Sequence, residues 1–174
     1  MTVWNLDITH SELEFKARHL MISSVKGSFK DFSVILKSET DDITQSQIDV
    51  SIQVNSIDTK NESRDEHLKG KDFFDTSIFP VIVFTSTSVE LQDNDNYLIA
   101  GVLTIKGISQ PITLKAEYGG VAKDHLGNAK AGFTVKGSIN RSEFGLTWNT
   151  ALETGGVMVS EEIKFSADLQ FIKS

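Results

Sequence analysis

Alternation between apolar and polar residues recurs along the chain and limits its possible folds more than any other feature. Apolar residues occupy every second position at residues 13–17, 48–54, 112–118, 129–139 and 163–171. Successive residues of a β-strand point to opposite faces, so each segment has one dry and one wet face. Such alternation is typical of antiparallel sheets, since parallel strands buried on both faces lack it. The pattern therefore predicts an all-β, antiparallel protein.

The dry faces should meet in one interior, and short turns should join the strands as in a sandwich or a closed barrel. A hairpin loop is predicted at 92–96, and a second connection from Gly119-Gly120 to 124–128. A change of parity between Phe29 and Phe32 predicts a bulge or tight turn at Lys30-Asp31. The inward-facing residues should include Leu13, Phe15, Ala17, Ile48, Val50, Ile52, Phe133, Val135, Phe165 and Leu169.

One segment departs from the alternation and predicts a short surface helix near residues 60–69. Thr59 and Glu62 have the spacing of a capping box, and Gly70 would end the helix. Leu68 is its only aliphatic residue, so the helix is too polar for a core and should act as a surface flap. The aromatic residues of the next loop should bury at a barrel mouth: Phe73, Phe74 and Phe79.

Charge and composition disfavour several classes of function. The formal net charge of −7 should repel nucleic acid and anionic lipid head groups. The absence of cysteine excludes disulfides, thiolate catalysis and iron–sulfur clusters. No run approaches the ~18 apolar residues of a membrane span, and the first residues lack the basic and apolar parts of a signal peptide. We therefore expect a cytoplasmic protein that is not embedded in a membrane.

A search for catalytic or metal-binding motifs finds none, and no cofactor is expected. The histidines lie at positions 10, 19, 67 and 125, without the spacing of metal ligands on one face. Arg18 has the parity of a solvated barrel exterior. Arg64 and Arg141 form surface ion pairs, or alternatively brace a loop or meet a polar head group, for which a guanidinium is suited.

Two segments carry apolar residues on both parities, at 81–84 and 97–105. Their outer faces should be covered by a helix or by a second subunit. The second possibility predicts a homodimer.

Several short motifs, weak singly, are together specific in their order and spacing. They are Trp4-Asn5-Leu6-Asp7 with His10-Ser11, Phe15-Lys16-Ala17-Arg18-His19-Leu20, Val25-Lys26-Gly27-Ser28-Phe29, Ser56-Ile57-Asp58-Thr59, Arg64-Asp65-Glu66-His67-Leu68, Asp72-Phe73-Phe74-Asp75, Phe79-Pro80, Gly101-Val102-Leu103-Thr104-Ile105-Lys106-Gly107 and Asn140-Arg141-Ser142-Glu143-Phe144-Gly145. In these the chain resembles the YceI family of lipocalin-like, isoprenoid-binding proteins over nearly its whole length.

The resemblance implies a single domain over residues 1–174, an eight-stranded lipocalin-like barrel, often dimeric, with an apolar tunnel for a polyprenyl or fatty-acid-like chain. A carrier, storage or sequestering protein is implied, with a possible stress role, and not an enzyme. The alternative is an enzyme acting on an isoprenoid with His19 or His67 as acid–base group. We predict a tunnel lined by His19, Leu20, Phe29, Phe32, Phe73, Phe74, Phe84, Phe133, Phe144 and Leu146, with Arg64, His67 and Arg141 at the rim or head group.

Overall fold

The computed structural model describes residues 2–20, 22–149 and 159–174 and consists almost entirely of antiparallel strands. The strands are β1 (Thr2–Leu6), β2 (Glu12–His19), β3 (Ser23–Phe29), β4 (Phe32–Ser38), β5 (Ser46–Gln53), β6 (Ile57–Asp58), β7 (Val81–Asp93), β8 (Asn96–Ile105), β9 (Ile108–Lys123), β10 (Ala129–Asn140) and β11 (Glu162–Lys173). One α-helix, α1 (Glu62–Lys69), and four 3₁₀ turns complete the elements of the described residues.

The eleven strand segments form an eight-stranded barrel because three pairs of segments each act as one interrupted strand. β1 and β2 both pair with β11, and a 3₁₀ turn at Ile8–His10 separates them. β3 and β4 pair with β2 and β1, and β6 and β5 pair in turn with β3 and β4. Each composite strand neighbours the next one in sequence, and β11 closes on β1 and β2. The predicted closed antiparallel barrel of eight strands is confirmed.

The strand interruptions follow the changes of apolar parity. β3 ends at Phe29 and β4 begins at Phe32, so the predicted break at Lys30-Asp31 is confirmed as a two-residue bend. The connection predicted to start at Gly119-Gly120 is wrong, because β9 continues through both glycines to Lys123. A register shift in the pairing with β10, and the left-handed Gly120 (φ 99°), absorb the change of parity within the strand.

The barrel interior contains the residues that the alternation places there. All ten residues predicted to face inward lie on the wall of one internal cavity. Phe15 and Phe165 are directly paired across β2 and β11, and both point into the barrel. A bulge in β7 between Ser86 and Ser88 restores the inward parity of Val89, which is buried. The period of two therefore holds around the whole barrel, with local interruptions.

Helix α1 begins with a different cap from the one predicted. The side chain of Asn61 accepts a hydrogen bond from the Arg64 amide (3.0 Å), so Asn61 and not Thr59 is the N-cap. Thr59 is instead buried and donates from its amide and its hydroxyl to Asp65. Gly70 ends the helix as predicted.

The outer face of β7 and β8, which the sequence predicts to be covered by a helix or by a second subunit, is exposed. Val83 is 42% and Val102 is 38% exposed on this face. No helix of the described residues therefore covers it, and the homodimer stays a prediction.

Candidate functional site

The barrel encloses a cavity of about 380 Å³ with an almost entirely apolar wall. Its size lies within the range of pockets that hold small ligands. Aliphatic and phenylalanine side chains from all eight strands of the barrel line the cavity, together with residues of α1 and of the loop that follows α1. A barrel of eight strands can fill its interior with side chains or leave room for one ligand. This barrel is hollow.

Glycines on the inner face help to keep the interior open. Gly27 on β3 is paired with Phe15 on β2, and a Cβ on Gly27 would collide with the Phe15 ring. Gly137 on β10 is paired with Phe165 on β11, where a Cβ would lie 2.6 Å from that ring. Each ring lies over the backbone of a glycine on the neighbouring strand, along the wall. A larger residue at either position would push the ring towards the cavity.

Eight of the ten residues predicted to contact the ligand lie on the cavity wall: His19, Phe29, Phe32, Phe73, Phe74, Phe84, Phe133 and Leu146. Leu20 does not, because it follows the end of β2 with φ 54° and leaves the strand parity. Phe144 does not, because it packs, 0% exposed, into the protein core from a 3₁₀ turn. Contact of the eight with a ligand stays a prediction.

Five basic or imidazole residues border the cavity, and four of them define what we call the polar end: His19, Arg64, His67 and Arg141. The fifth, Arg18, precedes His19 on β2 and is exposed, as its parity predicts. His19 is the last residue of β2 and forms an isolated antiparallel β-bridge with Val159. The carbonyl of Val159 accepts a hydrogen bond from Arg141. Arg141 also donates to the carbonyl of Trp148, and the Trp148 ring packs against His67. The other end of the cavity, near the β7–β8 hairpin, is lined by Leu36, Ile43, Val89, Tyr97 and Phe171.

Arg141 is a structural brace, and the alternative of a surface ion pair is wrong. Its side chain is buried, with 2% of the residue exposed. The guanidinium donates to the carbonyls of Leu146 (2.7 Å), Trp148 (2.8 Å), Ser160 (2.8 Å) and Val159 (3.4 Å). Burial lowers the pKa of Arg141, and the carboxylate of Glu161 at 3.8 Å opposes that effect. The brace joins the segment after β10 to the segment before β11.

Arg64 faces the cavity from the same face of α1 as His67 and Leu68, at positions i, i+3 and i+4. Its Nε donates to the Thr59 hydroxyl (2.8 Å) and an Nη to the Thr59 carbonyl (2.6 Å). The Thr59 hydroxyl donates in turn to Asp65 (2.5 Å). The helix thus contributes one apolar and two polar side chains to the wall. It is therefore part of the cavity wall as well as the predicted surface flap.

His67 lies in a cluster of rings at the polar end. Its Nε2 is 2.8 Å from Asp72, and its ring makes edge contacts with Phe73 (5.1 Å) and Trp148 (4.9 Å). The aromatic loop residues Phe73 and Phe74 lie on the wall as expected, whereas Phe79 does not.

Among the wall residues that the sequence reasoning missed are Trp148 and Thr59. Trp148 lies on the wall, and the alternation of Phe144, Leu146 and Trp148 is a signal that could have identified it. Thr59 also lies on the wall, but its spacing from Glu62 drew it into the capping motif. Both belong to the polar end.

The described residues supply no metal site and no membrane-spanning helix. Within 2–20, 22–149 and 159–174, no three His, Asp or Glu side chains are grouped so that they could hold a metal ion. In the same ranges no helix is long and apolar enough to cross a bilayer.

Comparison with known proteins places this barrel in a family. The model of the YceI-like domain matches residues 4–171. A UPF0312 protein of Staphylococcus epidermidis is 42% identical over 172 residues, 98% of both chains. The crystal structure of the Campylobacter jejuni YCEI protein is 37% identical, covers 90% of both chains and superposes with a TM-score of 0.78.

A more distant structure shares the fold alone. It is a polyisoprenoid binding domain from Saccharophagus degradans, with 15% identity, 98% coverage of both chains and a TM-score of 0.72. With the closed eight-stranded barrel and its apolar interior, the match over residues 4–171 establishes that the chain belongs to the YceI-like domain family.

Proposed function

We propose that the protein binds one long-chain apolar lipid, an isoprenoid or a fatty-acid-like chain, inside the barrel and acts as its carrier or store. One observation carries the proposal: the hollow interior of about 380 Å³ is apolar except at the polar end. An apolar chain with one polar head has the same asymmetry. Burial of the chain would contribute roughly 0.8 kcal/mol per CH₂, less the cost of ordering the ligand.

The comparisons support the chemical class of the ligand. The Saccharophagus degradans domain, which has the same fold, is described as polyisoprenoid binding. The wall itself offers contacts that any long apolar chain can make. An apolar pocket discriminates little among such chains, about 1–3 kcal/mol per methylene. The structure therefore supports a class of lipid and not one member of it.

Binding is favoured over catalysis by the contacts of the polar groups at the cavity. The Arg141 guanidinium is engaged by four backbone carbonyls and the Thr59 hydroxyl by Asp65 and Arg64. His67, one of two histidines in the enzymatic alternative, contacts Asp72 and two aromatic rings. These are contacts that hold loops in place. Transport or storage of the lipid follows from a protein that binds it without altering it.

Replacement of Phe133 by Asp tests the proposal. Phe133 lies on the wall within 5.1 Å of Tyr118 and 5.8 Å of Phe171, measured between ring centroids. A carboxylate there would face an apolar chain and would cost several kcal/mol of binding. We expect F133D to lose lipid that the wild type retains, measured by extraction and mass spectrometry.

The matched control is Ser138→Asp, which adds the same charge to the exposed outer face of β10. It should leave lipid retention unchanged, and circular dichroism should show that both variants are folded. Equal retention by F133D and the wild type would contradict binding inside the barrel.

A further inference from the structure

Three lysines on the outside of the barrel lie side by side across neighbouring strands. Lys16 on β2 is directly opposite Lys26 on β3 and Lys164 on β11, and all three residues are exposed. We call these three residues the lysine row. Residues opposite each other in an antiparallel pair have Cβ atoms about 4.5–5.5 Å apart, and like charges at that spacing destabilise a sheet. An anionic partner that lies over the row would remove this repulsion.

Carboxylates of the protein neutralise little of the lysine row. Lys164 has Glu162 at 3.8 Å. Within residues 2–20, 22–149 and 159–174, no carboxylate forms an ion pair with Lys16 or Lys26. Glu14 lies on the same face of β2, two residues before Lys16, and pairs with neither of them. The row therefore presents a net positive charge to the solvent.

Other acidic side chains of the same wall lie towards the opposite end of the barrel. Glu12 on β2 is directly opposite Asp168 on β11, and the two lie four residues along their strands from Lys16 and Lys164. Four residues of a strand span about 13 Å. This distance exceeds the Debye length of about 10 Å at 0.1 M salt. The net charge of −7 therefore does not determine what the lysine row attracts.

An exposed apolar residue lies next to the lysine row. Ile22, in the turn between β2 and β3, is 80% exposed and precedes Lys26 by four residues. Peripheral proteins bind anionic bilayers by this combination, with cations at the head groups and apolar side chains at the boundary with the acyl chains. A soluble polyanion would supply a counter-charge to the lysines but would leave Ile22 in water. The combination thus favours a lipid surface as the partner.

The strand that carries Lys26 and follows Ile22 also has a free edge. β6 pairs with Ser28 and Phe29 of β3, and no strand of the described residues pairs with the same edge of β3 at residues 23–27. Val25, within this stretch, lies on the cavity wall, as do residues of α1, which follows β6. A lipid chain that passes this edge into the cavity breaks no backbone hydrogen bond between strands.

We propose that the outer face of β2, β3 and β11 docks on an anionic phospholipid bilayer, with the lysine row against the head groups and Ile22 inserted among them. The free edge of β3 then adjoins the bilayer, and a lipid passes between the bilayer and the cavity at this edge. The docking goes beyond the proposed function, and only the passage of the lipid rests on it.

Cosedimentation with sucrose-loaded vesicles tests the docking. Phosphatidylcholine vesicles with about 30% phosphatidylglycerol should bind the wild type at least about tenfold more tightly than vesicles of phosphatidylcholine alone. A lysine at an anionic surface contributes about fivefold in affinity, so the triple variant Lys16→Gln, Lys26→Gln, Lys164→Gln should bind the anionic vesicles about a hundredfold more weakly. Ile22→Ser should weaken this binding by about fivefold or more, because it removes the inserted apolar side chain.

The matched control removes three exposed lysines near the β7–β8 hairpin end of the barrel, by Lys37→Gln, Lys123→Gln and Lys173→Gln. It changes the net charge as much as the first triple variant does, and it should bind the anionic vesicles as the wild type does. An equal loss in both triple variants would overturn the role of the lysine row. Circular dichroism should show that both are folded; if the first is not, Ile22→Ser and the dependence on phosphatidylglycerol still decide the matter.

The outcomes separate docking from the proposed function. A wild type that stays in solution with anionic vesicles, or unchanged binding in the lysine-row variant, would overturn the docking while lipid retention in the barrel stands. F133D should dock as the wild type does although it retains no lipid. A wild type that docks but retains no lipid would overturn the proposed function alone. Binding of polyglutamate through the lysine row, without binding of anionic vesicles, would overturn the bilayer as partner and assign an acidic protein instead.

Discussion

Replacement of Arg141 by Met should destabilise the barrel because it removes the brace at the polar end. Three bonds of 2.7–2.8 Å to Leu146, Trp148 and Ser160, and a weaker one to Val159, would be lost. Hydrogen bonds to a charged donor contribute roughly 1.5–3 kcal/mol each. Part of this loss would be offset, because the burial that lowers the pKa of Arg141 and disfavours its charge would be relieved. Allowing about 1 kcal/mol for each short bond, we expect a loss of about 3 kcal/mol.

For a domain of this size the loss corresponds to a fall in Tm of about 6–12 °C. Urea unfolding followed by far-ultraviolet circular dichroism measures it as a change in the free energy of unfolding. The matched control is Lys164→Met, which removes an exposed cation on β11 whose carboxylate partner, Glu162, is 3.8 Å away. It should change stability by less than about 0.5 kcal/mol. A loss below about 1 kcal/mol in R141M would refute the argument that the four carbonyls depend on Arg141.

Three other outcomes follow from the structure. Hydrogen bonds, first from Thr9, hold the pKa of Asp7 well below its usual value of 3.8, so its ionised form stabilises the fold above that pH. Asp7→Asn should cost about 2 kcal/mol at pH 7, and its difference from the wild type in urea unfolding should shrink as the pH falls from 5 to 2; a constant difference would contradict this. Gly137→Ala should push the Phe165 ring into the cavity and lower lipid retention, and unchanged retention would show that the ring moves elsewhere. Sedimentation should show that the wild type is a dimer and that Val102→Lys, on the outer face of β8, dissociates this dimer. A wild-type species of only 19.2 kDa at tens of micromolar would argue against the dimer.

The barrel could be predicted from the sequence because its physical cause is local. A strand with one dry face needs alternation, and the break between Phe29 and Phe32 is visible as a change of parity. Gly119-Gly120 was misjudged because a glycine pair is equally suited to a turn and to a bulge within a strand. The position of the helix was predicted correctly, but its N-cap was not. Asn61 and Thr59 are both suitable N-cap residues, and the sequence alone does not show which of them caps the helix.

The polar end was harder to predict because distant segments build it. Arg141 is buried by carbonyls from both sides of the segment that it braces, a set that no spacing in the sequence reveals. Leu20 follows the inward-facing His19 and so departs from the alternation of β2, and its positive φ also keeps it off the wall. Phe144 is apolar and near the barrel, and its 3₁₀ turn directs it into the core. In each position the backbone conformation, and not the residue type, decided between core, wall and brace.

Native mass spectrometry of the purified wild-type protein tests the central claim most directly, since it weighs the chain together with anything held inside it. The account predicts, after exposure to a lipid extract, a species heavier than the chain by one lipid molecule, and long-chain lipid at one molecule per chain on extraction of that species. F133D treated in the same way should retain the mass of the bare chain. A wild-type protein that has only the mass of the bare chain after the same exposure would contradict lipid binding by this barrel.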